Sequence, residues 1–367
     1  GVHMSSWISQ SKKNLYDRYL GPDWTEVANP ERLAETIDRI PDEELWHSHE
    51  FTRSRLIRES RRRLAEELVS CSASHHEIMQ AKTALDQDSL TIGFARRFAT
   101  YKRATLLLRD RDRLAALLRD PQRPVQIIFA GKAHPADDYG KHLIQEIIHH
   151  CRRPEFRKRV VFLEDYDLHL ARYLVLGVDV WLNNPRRPLE ACGTSGMKVP
   201  PNGGLHLSVL DGWWDEAYTS QVGWAIGQGE EYDDPDAQDE VEGSALYDLL
   251  ADEVVPLYYA RGEDGLPRGW LAKVKASVEQ LTPVFNTNRM VRQYTEEYYL
   301  PALQHWNRLR NNGFQAARAL ARWKEKVRAA WPGVRVTSVA GNDPDGVQVG
   351  DEFPVRCVVE LNGLDPT

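Results

Sequence analysis

The sequence predicts an open α/β domain built on a parallel sheet, and two observations predict it. Five short runs, at residues 90–94, 125–130, 160–163, 178–182 and 205–210, are largely apolar on both faces instead of alternating. Amphipathic stretches, for example 104–118 and 139–148, lie between them. Strands apolar on both faces, joined by helical crossovers, form parallel sheets covered on both sides. That layering is of the Rossmann type.

The elements follow in order. Residues 1–88 read as a charged, helical lead-in. Pro41-Asp42-Glu43-Glu44 is a helix-start signature, and 45–68 carries apolar residues at helical spacing among Arg and Glu. Residues 89–330 hold the five strands and, after about Gly227, helical patterns at 245–260, 270–281, 288–310 and 314–330. Pro332-Gly333 breaks the chain. Residues 334–339 and 353–361 then alternate with period two, which marks 331–367 as the start of a small β-domain. Gly1-Val2-His3 carries no start signal and the chain stops just after a strand-like run, so truncation at both ends is expected.

Composition narrows the function. The 367 residues suffice for two or three domains, and 42% hydrophobic with 28% charged residues is ordinary for a soluble globular protein. A formal net charge of −7 argues against a nucleic-acid or anionic-membrane binder. Arg61-Arg62-Arg63 reads as a solvated helix face. The four cysteines, Cys71, Cys151, Cys192 and Cys357, form no CxxC pair, so neither a zinc site nor a disulfide framework is expected. No apolar run reaches membrane-spanning length and no signal peptide is visible, so a cytoplasmic enzyme is the expectation.

In open α/β sheets ligands bind beyond the carboxyl ends of the strands, which directs attention to four segments. After the first strand comes Gly93-Phe94-Ala95-Arg96-Arg97-Phe98-Ala99-Thr100-Tyr101-Lys102-Arg103, with four cations before a helix. Such a place suits phosphate, with Arg as a planar fork and Lys as a point charge. Surface ion pairing explains the same residues equally well. Gly131-Lys132-Ala133-His134-Pro135 follows the second strand and reads as a tight turn, because the Walker spacing is missing.

The third segment is Arg186-Arg187-Pro188-Leu189-Glu190-Ala191-Cys192-Gly193-Thr194-Ser195-Gly196-Met197-Lys198. Its small residues let backbone N–H groups approach an anion, and Glu190 can accept hydrogen bonds from sugar hydroxyls. Partial burial of Lys198 would lower its pKa and make Schiff-base chemistry feasible, although a lone lysine is more often a surface residue. In the fourth segment, Asn202-Gly203-Gly204 followed by Leu210-Asp211-Gly212-Trp213-Trp214, the two tryptophans read as core before they read as a sugar-stacking surface.

Several of these stretches resemble the α-glucan phosphorylases, in their shorter bacterial and archaeal form. Residues Glu190 to Lys198 are similar to the family's cofactor signature Glu-Ala-Ser-Gly-Thr-Gly-Asn-Met-Lys, whose last lysine carries pyridoxal 5′-phosphate. Arg97 to Lys102 resembles its Arg-x-x-x-Tyr-Lys phosphate motif. Val161-Phe162-Leu163-Glu164-Asp165-Tyr166 resembles the segment whose tyrosine lies beside the cofactor, and Trp7 matches a tryptophan near it. The match runs from Gly1 to about Trp214. Cys192 departs from the usual Ser, which puts a hydroxyl contact to sugar in doubt, and Val199-Pro200-Pro201 departs from Phe-Met-Leu and would stop a helix early.

The resemblance implies a two-lobed glycosyltransferase fold, of which this chain supplies the Rossmann-like C-terminal lobe, with the N-terminal lobe missing. It implies phosphorolysis of the terminal α-1,4-linked glucose of glycogen, starch or maltodextrin by inorganic phosphate, giving glucose 1-phosphate. It makes Arg97, Lys102 and Glu190 the catalytic set. Lys198, Arg96, Trp7, Tyr166, Thr194 and Ser195 would hold the cofactor, and Glu190, Cys192 and Gly193 the glucose. A sugar-nucleotide glucan glycosyltransferase, an aminotransferase-like enzyme and a non-catalytic glucan-binding fragment are the rival readings. The preferred glucan, any effector and the subunit number, a homo-oligomer included, stay open.

Overall fold

A computed structural model describes residues 1–24, 33, 36–341 and 354–365. Its centre is a parallel sheet of six strands: β1 (Leu90–Ala95), β2 (Val125–Ala130), β3 (Val160–Leu163), β4 (Val180–Asn183), β5 (Leu205–Val209) and β6 (Gly223–Ile226). The strand order is β3-β2-β1-β4-β5-β6. Every residue of β1 to β5 is buried. Along β2, Ile127 and Phe129 enter one apolar cluster while Ile128 and Ala130 enter the other. The sheet thus has a core on each face, which is why its strands read as continuous apolar runs.

Helices supply the other half of each core. Leu56 and Ile57 from the helix Asp42–Ser70 and Leu170 and Leu174 from Leu168–Gly177 pack in one cluster. Leu114 and Leu118 of Arg111–Arg119, Leu143 and Ile147 of Asp138–Cys151, and Trp270, Val274 and Val278 of Arg268–Leu281 pack in the other. The chain thus divides into two units, Gly1–Val291 around this sheet and Arg292–Thr367.

Three differences from the sequence reading have local causes. The helix expected from residue 104 begins only at Arg111. Arg103 sits in the left-handed region with φ 48°, and Asp110 caps the later start by accepting the Arg113 N–H at 2.9 Å. Strand β6 is not expected from the sequence, since it opens on Gly223 and carries a small, half-buried Ala225 where the other strands carry a buried residue. The helix expected over 245–260 starts earlier, as Pro235–Asp248, and widens at Leu249–Val254 before Val255–Tyr259.

In the second unit, Leu300–Ala330 is helical on either side of a break at Asn311, Asn312, Gly313 and Phe314. Arg335–Gly341 and Val355–Glu360 pair antiparallel. Phe353, where the second of these strands is expected to begin, lies outside the described residues. No helix among the described residues is long and apolar enough to cross a membrane.

The strand order decides where to look for a site. From β1 the sheet grows outward through β2 to β3, and the chain then returns to β4 on the other side of β1. Loops leaving the carboxyl ends of β1 and β4 therefore part in opposite directions and leave a crevice between them. The loop after β1 begins at Arg96 and the loop after β4 runs on to Lys198.

Candidate functional site: a buried cation pair beside a half-buried lysine

Two cations from the β1 loop meet one carboxylate from the β4 loop in that crevice. Arg96 Nη2 donates to Glu190 Oε1 at 2.6 Å, and Lys102 Nζ donates to Glu190 Oε2 at 2.6 Å. All three side chains are buried. Two positive charges against one negative leave the group with an excess of one. Arg96 Nε and Nη1 are also buried and have no hydrogen-bond partner among the described residues. Burial pulls the Arg96 guanidinium below its ordinary pKa, against the opposing pull of Glu190 and Tyr101. Unspent donors and surplus charge out of water are conditions that favour a bound anion.

Local sequence explains why the loop holds this shape. Arg96 N–H donates to the Ala130 carbonyl and Phe98 N–H to the Lys132 carbonyl, so the β1 loop lies on the turn at Gly131. A Cβ at Gly131 would stand 2.0 Å from the Arg96 carbonyl oxygen, so this turn needs glycine. Across the crevice, Glu190 N–H donates to Asp211 Oδ2 at 2.8 Å, and Trp213 N–H donates to the Cys192 carbonyl at 2.9 Å. Trp213 and Trp214 are core residues, as the sequence reading prefers.

Lys198 closes the one-turn helix Gly196–Lys198. The next turn, Pro200–Asn202, ends at Gly203, so the proline pair does stop the helix early. Lys198 is half-buried, and burial lowers its pKa from the ordinary lysine value. Its Nζ stands 4.2 Å from the centroid of the Trp7 ring, a cation–π seat. Trp7 and Tyr166 both lie half-buried against the same apolar cluster, and burial pushes the Tyr166 hydroxyl up.

The other residues singled out in the sequence are placed less uniformly. The Gly193 Cα lies against Glu190, since a Cβ there would be 3.4 Å from Oε1. Ser195 is half-buried, and Cys192 and Thr194 are exposed. Arg97 is exposed and takes no part in the Glu190 bridge.

Two residues outside the catalytic, cofactor and glucose sets expected from the sequence complete the site. His206 of β5 is fully buried, its ring 4.7 Å from that of Trp214, and a Cβ on Gly196 would come within 2.6 Å of its Cε1. Burial, reinforced by the charge of Arg96, lowers its pKa to about 3, so it is neutral. It thus lies beneath the turn that carries Lys198 and within the field of Arg96. Arg103 donates to the Asn184 and Pro185 carbonyls and pairs with Asp239 and Glu242, which fastens the β1 loop to the β4 loop. A lone His inside an apolar strand and the last cation of a basic run gave no signal of these tasks.

A family model described as carbohydrate phosphorylase matches residues 1–219, more than half of the chain. The chain belongs to the carbohydrate phosphorylase family. It is 43% identical over 367 residues to a glycogen phosphorylase of Mycobacterium tuberculosis, covering all of this chain and 42% of that protein. It is 41% identical over 366 residues to a maltodextrin phosphorylase of Thermococcus litoralis, again 42% of that protein. Against a glycogen phosphorylase of Aquifex aeolicus the identity is 47% over 304 residues, 83% of this chain and 44% of the relative. This phosphorylase-family chain therefore spans somewhat less than half the length of the relatives it matches.

Proposed function

We propose that this chain is the cofactor-binding, Rossmann-like C-terminal lobe of an α-1,4-glucan phosphorylase. In the longer protein it would act on the terminal α-1,4-linked glucose of a glucan with inorganic phosphate and release glucose 1-phosphate. The observation that carries the reading is the Arg96–Glu190–Lys102 bridge at the crevice between β1 and β4, with a half-buried lysine on the loop that supplies Glu190.

The residues fit pyridoxal 5′-phosphate. Lys198 would hold it, because burial favours the neutral amine that a carbonyl group requires. The unpaired donors of Arg96 suit its phosphate, and Trp7, Tyr166, Thr194 and Ser195 would border it. When bound, the cofactor supplies an acid–base phosphate group beside the substrate phosphate. Arg97 and Lys102 would hold the substrate phosphate and offset the crowding of two anions as charge develops on the departing oxygen. Glu190, as acceptor, and the backbone at Gly193 and Cys192 would hold the glucose hydroxyls and orient the anomeric carbon. Glu190 can do so while still holding Lys102, because a carboxylate accepts about four hydrogen bonds.

The test is borohydride reduction of the protein with pyridoxal phosphate, followed by peptide mapping. The pyridoxyl label is expected on Lys198. A label on another lysine, with Lys198 free, refutes the assignment. We further propose that residues 1–367 alone fold but do not turn over, since the opposite wall of the cleft belongs to the rest of the longer protein. Glucose 1-phosphate release by this chain at the parent's rate overturns that proposal.

A further inference from the structure

On the underside of the Lys198 turn, one amide side chain ties together segments far apart in sequence. Asn202 is fully buried. Its Nδ2 donates to the Trp7 carbonyl at 2.7 Å and to the Lys198 carbonyl at 2.8 Å. Its Oδ1 accepts the Ser9 N–H at 3.0 Å, and its own N–H donates to the Val199 carbonyl at 2.9 Å. Its carbonyl lies 3.1 Å from His49 Nδ1, and His49 Nε2 lies 2.9 Å from Asp179 Oδ1. Both amide hydrogens and the side-chain oxygen are used, and nothing smaller or differently charged can reproduce that set.

We infer that Asn202 is a positioning residue that holds Trp7 and Lys198 in register, so that the lysine amine is presented over the indole ring for its carbonyl-bearing cofactor. The claim rests on the proposed cofactor role of Lys198.

Lys198 sits on a single helical turn closed by two prolines, and one turn has too few internal hydrogen bonds to fix its own orientation. Trp7 sits on the short helix Met4–Trp7, which is equally weak alone. The two are 191 positions apart in the chain and are joined through the same Nδ2 group. Loss of that group removes the shared reference of two otherwise loosely held turns, and the cation–π seat at 4.2 Å depends on both. The anchor itself is rigid, because Asn202 is backed by His49 and Asp179, which are both buried. Gly203 completes the packing with φ 84°, since a Cβ there would lie 3.3 Å from Lys12 Nζ and from His49 Nδ1.

The closing experiment uses the full chain and compares wild type with Asn202→Asp, which keeps the size and the acceptor for Ser9 but loses both Nδ2 donations. Two quantities are read. One is pyridoxal phosphate affinity, followed by absorbance and by borohydride labelling of Lys198. The other is the Lys198 pKa in the cofactor-free protein, from the pH dependence of its reaction with an amine-directed reagent. The variant is expected to bind the cofactor about tenfold more weakly, by analogy with outer partners of metal ligands. Its Lys198 pKa is expected to move back toward the ordinary lysine value. Asn202→Ser, which drops both Nδ2 donations without adding a charge, is expected to move the Lys198 pKa the same way by opening the amine to water, and it serves as the second variant should Asn202→Asp not fold. Failure of wild type to take label on Lys198 defeats the cofactor reading, and the amine titration still decides the role of Asn202. An unchanged Lys198 pKa in both folded variants, or in Asn202→Ser alone should Asn202→Asp not fold, overturns the inference. So does unchanged labelling in Asn202→Asp.

Discussion

Arg96 and Glu190 meet at 2.6 Å across the crevice between β1 and β4, each more than nine-tenths buried. Lys102 takes the second carboxylate oxygen, so one acid neutralises only half of a buried cation pair. Glu190→Gln removes that acid. Breaking a buried ion pair from one side costs about 3–5 kcal/mol, because the remaining charges stay out of water unpaired. The variant should therefore be markedly less stable than wild type in chloride buffer. Phosphate, by binding the folded cations, should restore part of the loss through mass action. Urea denaturation of both proteins in chloride and in phosphate at matched ionic strength reads the difference. Equal loss in the two buffers would show that the pair does not hold anions.

Arg97 and Lys102 share a proposed task but not an environment. Arg97 is exposed, while Lys102 is buried on Glu190. Arg97→Ala should leave stability within about 0.5 kcal/mol of wild type. Lys102→Ala should cost roughly 3 kcal/mol, because Glu190 loses a buried partner. In the longer protein each should also raise the phosphorolysis barrier by roughly 2–4 kcal/mol if it meets the substrate phosphate. Normal phosphorolysis by Arg97→Ala would remove Arg97 from that role.

The sheet was legible because strands buried on both faces must be apolar at every position, as in Val160-Val161-Phe162-Leu163. The pairing of Arg96, Lys102 and Glu190 was legible only as three residues at two strand ends; that a carboxylate would lie between two cations depends on which strands are neighbours. Strand β6 and the shortened helix at Arg111 were hidden, because a strand that opens on Gly223 with Ala225 only half-buried lacks a continuous apolar run, and a left-handed Arg103 leaves no periodic mark. Asn202 and His206 were hidden for a deeper reason. Each acts through groups brought near by the fold, Asn202 on Trp7 and His206 under Gly196, and no local pattern records such contacts.

Asp179 anchors the far side of this arrangement. Its buried carboxylate accepts from Arg53 Nη1 at 2.8 Å and from the Thr91 N–H at 2.8 Å, and it lies 2.9 Å from His49 Nε2. Burial pushes its pKa up, but Arg53, His49 and Thr91 together hold it below the ordinary value. Stability from this group is thus present above the unfolded-state pKa, about 3.9, and is lost as pH falls through the lower folded value. Asp179→Asn should cost about 3–5 kcal/mol near neutrality, since buried Arg53 loses its hydrogen-bonded counter-charge and keeps only Glu50 at 3.9 Å. The cost should shrink in acid, below about pH 4. Urea denaturation across that range is the check, and a loss that does not vary with pH would contradict the ionised role.

His206 titrates in the opposite setting, since the charge acting on it is the cation of Arg96. Its folded pKa is lowered to about 3, first by burial and then by Arg96. The unfolded chain binds a proton near the ordinary value of about 6.5. Between those two values the unfolded state carries more protons than the folded state, so stability falls as pH falls, by at most about 1.4 kcal/mol per pH unit. Above about pH 6.5 both states are neutral and the group adds no pH dependence. His206→Leu removes the titration while keeping an apolar side chain against Trp213 and Trp214. The variant and wild type should differ by a constant above about pH 6.5, and the difference should then shift in favour of the variant as the solution is acidified. Other buried histidines, His49 and His150, are lowered as well and persist in both proteins, so they cancel in the comparison. Parallel stability curves through the acid range would mean that His206 either keeps an ordinary pKa in the folded state or is protonated there, and the neutral support beneath the Lys198 turn would have to be abandoned.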